Sequence, residues 1–207
     1  MPKKPAKRRV REPDITRDKL LNAAFHEIHL RGFQAASLET ILARAGVTKG
    51  ALYHHFPDKV SLGYAVLDEV VRGLMLQRWA AVTTTDDPVT GLQRILLDRA
   101  AEITPEMVEL GCPLNNLAQE MSPLDEGFRR RVNATLDEWT DAFASALARG
   151  QADGSVRRDF EPRKVAGFIV SSVEGAYGVA KGAKSTRMFR SNLEVLSGFL
   201  EGLRSDK

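Results

Sequence analysis

A fourteen-residue segment, Gly46 to Lys59, constrains the fold of this chain more than any other part of its sequence. Gly46 can end one helix, and Thr48 can cap the next. Pro57 prevents that second helix from continuing, and Asp58 can cap another one. The helix between Thr48 and Pro57 is therefore too short to contribute much to a core. Its polar residues are cationic, aromatic or hydroxylic and lie near its start, which favours a helix that inserts into the DNA major groove.

Apolar residues recur at spacings of three and four along the rest of the chain, which predicts helices, and no segment shows the alternation of a strand. Thr16 and Ser37 are candidate N-caps of two helices ahead of the segment, and Gly32 is a candidate helix stop. With the short helix, these have the lengths of a helix-turn-helix. We predict an all-α chain of about nine helices, with a three-helix DNA-binding domain over residues 13–60 and a larger helical domain over residues 61–207.

Helix stops subdivide the larger domain. The segment 104–113 contains two prolines and Gly111 and is predicted to be irregular. Asp87 and Pro88 form a helix-start signal ahead of it. A long helix is expected to begin near Asp125 and to close at Gly150.

The positive charge of the chain is concentrated at its start. The net charge is only +3, but the first eleven residues contain six Lys or Arg residues and no acid. We predict that residues 1–12 form a disordered basic arm. Such an arm beside a compact domain is either a phosphate-seeking extension or a solubilising tail.

Four short runs in the front domain occur in a fixed order: Arg31-Gly32-Phe33, Ser37-Leu38-Glu39-Thr40-Ile41, Ala45-Gly46-Val47 and the residues from Thr48 to Lys59. From about Thr16 to Leu62 the chain thereby resembles the DNA-binding domain of TetR-type (TetR/AcrR) transcriptional regulators. The rear of the chain is similar in length and helix count to the regulatory domain of that family. Gly111 to Met121 resembles a motif found in one subgroup. The resemblance implies a homodimer that represses a promoter and releases it when a small molecule binds the rear domain.

The side chains of the front segment suit contacts to DNA. Lys49 can reach a guanine edge or a phosphate, and Ala51 can touch a thymine methyl. Gly50 is either a close-approach position or simply a poor helix residue. Leu52 and Phe56 are expected in the core. The predicted DNA-contacting residues are Ser37, Thr40, Thr48, Lys49, Gly50, Ala51, Tyr53, His54, His55 and Lys59, with His54 the most open to a purely structural role.

The last two helices are the candidate dimer interface. Each carries an apolar stripe, and such stripes belong more often to an intramolecular core than to an interface. The resemblance implies that these helices pack against their two-fold mates in a four-helix bundle. The predicted interface residues are Ile169, Val170, Val173, Tyr177, Leu196, Phe199, Leu200 and Leu203.

Any effector pocket must lie in the rear domain. Its candidate lining residues are Trp79, Cys112, Asn115, Asn116, Gln119, Phe128, Trp139, Phe143, Phe168, Glu174 and Tyr177. All four histidines lie at or before His55, so no metal site and no cofactor are expected there. Cys112 follows Gly111 at a helix start, where it is either a reactive thiol of lowered pKa or a small buried hydrophobe.

The sequence lacks the groups that an enzyme needs. Carboxylates are dispersed on helix surfaces, no histidine lies in the rear domain, and no glycine-rich phosphate loop is present. We expect a ligand-responsive regulator, most simply a repressor, that binds double-stranded DNA as a homodimer. The alternatives are a ligand-independent architectural protein and an electrophile or redox sensor acting through Cys112. The single cysteine, the lack of a signal peptide and the lack of an ~18-residue apolar run predict a cytoplasmic protein without a membrane partner.

Overall fold

The computed structural model describes residues 12–205, apart from the side chains at positions 12–14, 81, 83 and 84. The basic arm predicted for residues 1–12 therefore lies outside the described residues except for the backbone of its last position. Eleven α-helices account for most of the described chain: α1 Glu12–Arg31, α2 Leu38–Ala45, α3 Lys49–His55, α4 Lys59–Ala65, α5 Arg72–Thr84, α6 Pro88–Glu102, α7 Pro105–Leu110, α8 Pro113–Met121, α9 Glu126–Asp153, α10 Pro162–Ala183 and α11 Thr186–Glu201.

The all-α prediction is confirmed. Between residues 12 and 205 the only β-type pairing is an isolated bridge between Val156 and Arg204. A π-helical segment, Val66–Val71, separates α4 from α5 in what the sequence predicts as one helix. This interruption and the short helix α7 explain why the structure has more helical segments than the nine expected.

The described chain divides into two compact units, one ending at Val66 and the other beginning at Leu67. The sequence analysis places this boundary a few residues earlier, after residue 60. The difference arises because apolar residues of α4 and the start of the π-helical segment, including Leu62 and Val66, are buried.

In the front unit, α1 packs against α2, α3 and α4. The shared core is apolar and consists of Leu20, Leu21, Ala24, Ile28, Phe33, Ile41, Leu52 and Phe56, with Leu62 contributed by α4. One predicted boundary is wrong: α1 begins at Glu12 rather than after Thr16. Pro13 does not oppose this earlier start, because backbone N–H groups in the first turn of a helix have no intrahelical partner to lose.

In the rear unit, α9 packs against α5, α8 and α10, while α11 packs against α6 and α10. The largest fully buried side chains are Leu67, Leu92, Leu96, Leu114, Phe128, Phe143, Leu147 and Phe189. The predicted start of α6 is confirmed, because Asp87 accepts a hydrogen bond from the Thr90 backbone N–H and Pro88 occupies the first turn.

Two predictions for this unit are wrong. The segment 104–113 contains a helix, α7, which Thr104 caps through the Met107 N–H and in which Pro105 occupies the first turn. The long helix α9 passes Gly150 and ends at Gly154, whose φ of 86° is left-handed. Gly150 is buried inside the helix, where its lack of a side chain makes room for a neighbouring segment.

We predict that Gly150→Ala destabilises the rear unit by about 1–3 kcal/mol, because overpacking displaces close neighbours. An added Cβ would lie 2.5 Å from Val156 Cγ2 and 2.7 Å from Pro88 Cγ. Urea unfolding of the full chain measures the loss. The matched control is Gly73→Ala in α5, where an added Cβ meets no described atom within 4 Å. That change should stabilise the helix by about 0.5–1 kcal/mol. Equal stability of the two variants would contradict this packing assignment.

Candidate DNA-binding surface and ligand cavity

The helix α3 is held in place by its cap and by two buried side chains. Thr48 Oγ1 accepts a hydrogen bond of 3.2 Å from the Ala51 backbone N–H. Leu52 and Phe56, four residues apart, are 2% and 4% exposed, as the sequence predicts. A cap at one end and two anchors on one face leave the opposite face of α3 directed to solvent.

That opposite face carries the polar residues singled out in the sequence. Lys49, Gly50 and His54 are exposed, and the Tyr53 side chain is 43% exposed. Lys49 Nζ lies 5.9 Å from the centroid of the Tyr53 ring. His55 is half-buried, and its ring contacts that of His54 edge-on at 5.2 Å. Cationic and hydrogen-bonding groups are therefore collected on a single exposed surface.

The turn that precedes α3 depends on Gly46. Its φ of 65° is left-handed, and Val47 N–H donates to the Leu42 carbonyl at 3.2 Å. This conformation suits glycine, because other L-residues pay a steric cost there. The turn places the exposed start of α3 after α2, in the helix-turn-helix order.

The start of α2 is also exposed. Ser37 Oγ accepts a hydrogen bond of 3.3 Å from the Thr40 N–H. The Ser37 N–H in turn donates to the carboxylate of Glu27, which is buried. Sequence reasoning missed Glu27, because a single acid on an otherwise apolar helix face gives no sign that it holds the start of the next helix.

Lys59 differs from the other predicted DNA-contacting residues. Its ammonium donates to the Gln34 carbonyl at 3.0 Å and lies 5.1 Å from the centroid of the Phe33 ring. A contact with phosphate would compete with these interactions. The structure thus gives Lys59 a role inside the front unit that the sequence does not indicate.

Gly50 makes no close packing contact with the described residues of the chain. A Cβ added there would meet only Thr48 Oγ1, at 3.9 Å. Its backbone is helical, so neither conformation nor space requires glycine at this position.

The rear unit contains a cavity of about 300 Å³. Five of the residues predicted to line a pocket do so: Trp79, Cys112, Trp139, Glu174 and Tyr177. Met75 and Leu96 also line it, and the lining residues that sequence reasoning missed are Arg78, Arg94, Ile95, Asp98, Arg99, Glu102, Val173 and Leu193.

The other predicted pocket residues do not line this cavity. Asn115 donates to the Glu174 carbonyl, and Asn116 donates to the Leu110 carbonyl and accepts from Lys181. Their amides therefore join helices and loops, and Gln119 is exposed. The remaining three are the aromatic residues Phe128, Phe143 and Phe168.

Phe128 and Phe143 lie on faces of α9 that pack against the rest of the rear unit, so both are buried core residues. Phe143 supports the cavity wall indirectly, since its ring stands edge-on to Trp79 at 5.2 Å. Phe168 is 53% exposed and contacts Phe199 at 5.2 Å between ring centroids.

Two stacked indoles form part of the cavity wall. Trp79 from α5 and Trp139 from α9 lie 4.5 Å apart between centroids, with 24° between their planes. Both Nε1 atoms are buried and donate no hydrogen bond within the described part of the chain. Buried donors of this kind carry a desolvation cost that a ligand acceptor or an ordered water would relieve.

Glu174 on α10 is the most perturbed acid in the cavity. Both carboxylate oxygens are buried, and no described residue satisfies either of them by hydrogen-bond geometry. Burial raises the pKa of Glu174 from its ordinary 4.5 to about 7. The neighbouring Cys112 thiol, a weak donor, and the positive charge of Arg78 lower this pKa only in part.

Cys112 precedes α8 as its N-cap residue, but its side chain makes no capping hydrogen bond. The thiol is 2% exposed. Burial, followed by the charge of Glu174, raises the pKa of Cys112 far above its usual range. The geometry therefore favours the buried-hydrophobe interpretation over the reactive-thiol one, because a neutral thiol is a poor nucleophile.

Arginine side chains complete the cavity. Arg99 Nε donates to Tyr177 Oη at 2.6 Å, and its Nη1 lies 3.5 Å from Glu102. Arg94 pairs with Asp98 at 3.7 Å. These residues follow an ordinary polar helix pattern, so only the packing of α6 against its neighbours reveals that they reach a cavity.

The structure buries most of the predicted dimer interface within a single chain. Seven of its eight residues, Ile169, Val170, Val173, Tyr177, Leu196, Leu200 and Leu203, are buried within a single chain. Phe199, at 40% exposure, is the exception. The apolar stripes pack α10 and α11 against their own unit.

A different set of apolar side chains on α10 and α11 is exposed. It consists of Phe168, Val179, Met188, Val195 and Phe199, which we call the exposed apolar set. Positions Gly175, Gly182 and Gly198 on the same helices have no heavy atom within 4 Å of an added Cβ.

Within residues 12–205, no group of three metal-ligating side chains comes together. None of the helices described for this chain combines the length and the apolar character required to cross a membrane.

Family models match both units of the chain. Residues 20–66 match the model for bacterial regulatory proteins of the tetR family. Residues 88–194 match the C-terminal domain of LmrA/YxaF-like transcriptional regulators.

Two similar proteins of the family agree with these matches. The chain is 34% identical over 146 residues to the HTH-type transcriptional repressor DhaR of Mycobacterium sp. (strain GP1), covering 70% of this chain and 72% of that protein. It is 29% identical over 187 residues to the transcriptional regulator AcuR of Cereibacter sphaeroides, covering 87% and 84%.

Solved structures share the fold. A TetR transcriptional regulator from Chloroflexus aurantiacus has a TM-score of 0.81 at 21% identity, covering 95% of this chain and all of that one. The regulatory protein TetR from Rhodobacter sphaeroides has a TM-score of 0.77 at 24% identity, covering 89% and 98%.

The burial of Glu174 yields a prediction about stability. Its carboxyl ionises near pH 4.5 when the chain is unfolded and near pH 7 when it is folded. Between these values the unfolded chain releases a proton that the folded chain retains, so stability falls as pH rises. The amide of Glu174→Gln cannot ionise. The free energy of unfolding of the variant should therefore exceed that of the natural chain by up to about 3 kcal/mol at pH 8 and by almost nothing at pH 4.5.

Thermal unfolding at the two pH values measures this difference. The control is Glu102→Gln, the same chemical change at a carboxylate that is 68% exposed. Its effect should be small and similar at both pH values. If Glu174→Gln also behaved identically at both pH values, the carboxylate would not be desolvated as the structure places it.

Proposed function

We propose that this chain, which belongs to the TetR family of bacterial transcriptional regulators, is a repressor that binds a palindromic or near-palindromic operator as a homodimer. We further propose that it releases the operator when a small organic molecule enters the rear cavity. Membership of the family makes the chain a DNA-binding regulator and not an enzyme.

The observation that carries this proposal is the exposed start of α3. Leu52 and Phe56 anchor one face of the helix, while Lys49, Gly50 and Tyr53 lie on the solvent side. A seven-residue helix contributes little to a core, so its exposed polar end is best explained by a partner. Lys49 can reach a guanine edge, and Tyr53 and His55 can donate to phosphates.

One recognition helix of this length can read only a few base pairs. A homodimer presents two such helices to half-sites about one DNA turn apart, so a palindromic operator follows from two-fold symmetry. Several cationic contacts release counterions on binding, so the affinity should fall steeply with salt.

The exposed apolar set on α10 and α11 supports the homodimer. Val195 is 72% exposed, and Phe168, Val179 and Phe199 are each at least 40% exposed. The open glycine positions on these helices would let a partner helix approach closely. We propose that this set, and not the buried stripes, meets the second copy.

The cavity supports ligand control over a purely architectural role. A volume of about 300 Å³, with buried polar groups that lack partners, is at the small end of ordinary ligand sites. An architectural protein would gain nothing from it. Because the proposed operator is chromosomal DNA, we place this function in the bacterial cytoplasm, and it requires no cofactor.

We predict that Gly50→Ala weakens operator binding at least tenfold while leaving the fold intact. Among residues 12–205, an added Cβ meets only Thr48 Oγ1 at 3.9 Å, and alanine favours a helix. A loss of affinity would therefore come from the Cβ holding the helix off the groove. Mobility-shift titration on an operator selected from random DNA measures the affinity, and thermal unfolding checks the fold.

Two comparison variants sharpen this experiment. Gly73→Ala, an equally open position in the rear unit, should keep full affinity. Lys49→Ala should weaken binding and reduce the salt slope by about one. Full affinity in Gly50→Ala would show that Gly50 is simply a poor helix residue. Full affinity in both Gly50→Ala and Lys49→Ala would contradict the assignment of α3 as the recognition helix.

We predict that Val195→Glu produces a monomer, because it places a charge in the middle of the proposed contact. Light scattering measures the mass, and the operator titration should show a parallel loss of affinity. Leu124→Glu is the matched control, since Leu124 is 62% exposed but lies between α8 and α9. A Val195→Glu protein that remained dimeric would remove the exposed apolar set as the interface.

A further inference from the structure

We infer that the effector is a small organic amine, bound as a cation with its ammonium group at the Glu174 carboxylate and its apolar body against the indoles of Trp79 and Trp139. This inference rests on the proposed function, because it names the chemical class of molecule that the rear cavity accepts.

The carboxylate of Glu174 requires stronger donors than the weak Cys112 thiol that the described chain places beside it. Both oxygens are buried and neither is satisfied by a described residue. A buried acceptor without a hydrogen-bond donor is unfavourable, and it is more so when it is charged. An ammonium group brings three N–H donors and a positive charge, so it can serve both oxygens at once.

The walls around Glu174 suit the rest of such a molecule. Met75, Leu96 and Val173 are apolar, and the stacked indoles of Trp79 and Trp139 add aromatic surface. An aromatic ring next to a cation contributes further attraction. A cavity of about 300 Å³ accommodates a molecule of one or two rings.

Most of the other charged side chains of the cavity already interact with partners. Arg99 is bound to Tyr177 and Glu102, and Arg94 is paired with Asp98. Arg78 is the cation that acts on Glu174, and it only partly offsets the effect of burial on the carboxylate. An organic acid would bring a second negative charge next to Glu174 and would bind only while that group remained protonated.

The affinity for an amine should depend on pH in a defined direction. With a pKa of about 7, Glu174 is mostly neutral at pH 6 and mostly ionised at pH 8. The charged and titratable groups that line the cavity with it are Arg78 on α5, Arg94, Asp98, Arg99 and Glu102 on α6, Cys112 before α8 and Tyr177 on α10. Burial raises the pKa values of the Cys112 thiol and the Tyr177 hydroxyl, so neither of these groups titrates in this interval. Binding should tighten about tenfold from pH 6 to pH 8.

The experiment compares three probes of one shape on the full-length protein. These are 2-phenylethylamine, 2-phenylethanol and 3-phenylpropionate, which carry a cation, a neutral hydroxyl and an anion. Both tryptophans of the chain line the cavity, so their fluorescence reports occupancy directly. We expect the amine to bind at least tenfold more tightly than the alcohol and the acid to bind least.

Variants identify the group responsible. Glu174→Gln should lose at least tenfold in affinity for the amine, lose the pH dependence and keep its affinity for the alcohol. Glu126→Gln makes the same chemical change at an exposed carboxylate outside the cavity and should keep the preference for the amine. Thermal unfolding shows that each variant is folded. Tighter binding of the acid or the alcohol, an unchanged preference in Glu174→Gln, or no binding of the amine at millimolar concentration would overturn the inference.

A separate titration tests the proposed function. Operator binding without any ligand checks DNA recognition, whatever the cavity accepts. If the amine binds in the cavity but the operator stays bound, ligand-controlled release fails while the chemistry of the site stands. If the operator binds and the acid alone releases it, the proposed function stands and the inference about the amine fails.

Discussion

The left-handed turn at Gly46, with the Thr48 cap that follows it, is the constraint on which the front unit depends. A φ of 65° at Gly46 ends α2 and reverses the chain, and the cap starts α3 two residues later. Leu52 and Phe56 then fasten α3 to the core. Because the helix is anchored along one face and at its first turn, the side chains of Lys49 and Tyr53 have a defined surface from which to meet DNA.

In the rear unit, residues of the helix α10 lie in three different surroundings. On α10, Ala176 packs into the core, Glu174 and Tyr177 reach the cavity, and Val179 faces solvent. These positions lie within six residues of one another, so the division follows from the 3.6-residue period of the helix. The same helix therefore contributes residues to both the cavity and the proposed dimer contact. A ligand that shifts α10 would change both.

Burial sets the chemistry of the cavity more than residue type does. Cys112 stands at a helix start, where a thiolate would be favoured in water, but its burial beside Glu174 raises its pKa instead. Glu174 itself is raised to about 7 for the same reason. The surroundings thus keep the thiol neutral and leave the carboxylate able to take up a charged partner.

The sequence by itself determined the local features. Caps and helix periodicity act over a few residues, so they could be predicted locally. These features are the helix stops at Gly32 and Gly46, the caps at Ser37, Thr48 and Asp58, and the core positions of Leu52 and Phe56. Only the tertiary structure decided which face of α10 and α11 is covered by the chain itself, that Gly150 lies inside a helix, and that arginines of α5 and α6 reach the cavity. The physical reason is that periodicity reveals an apolar stripe without revealing what packs against it, and burial of Glu174 depends on residues far away in the sequence.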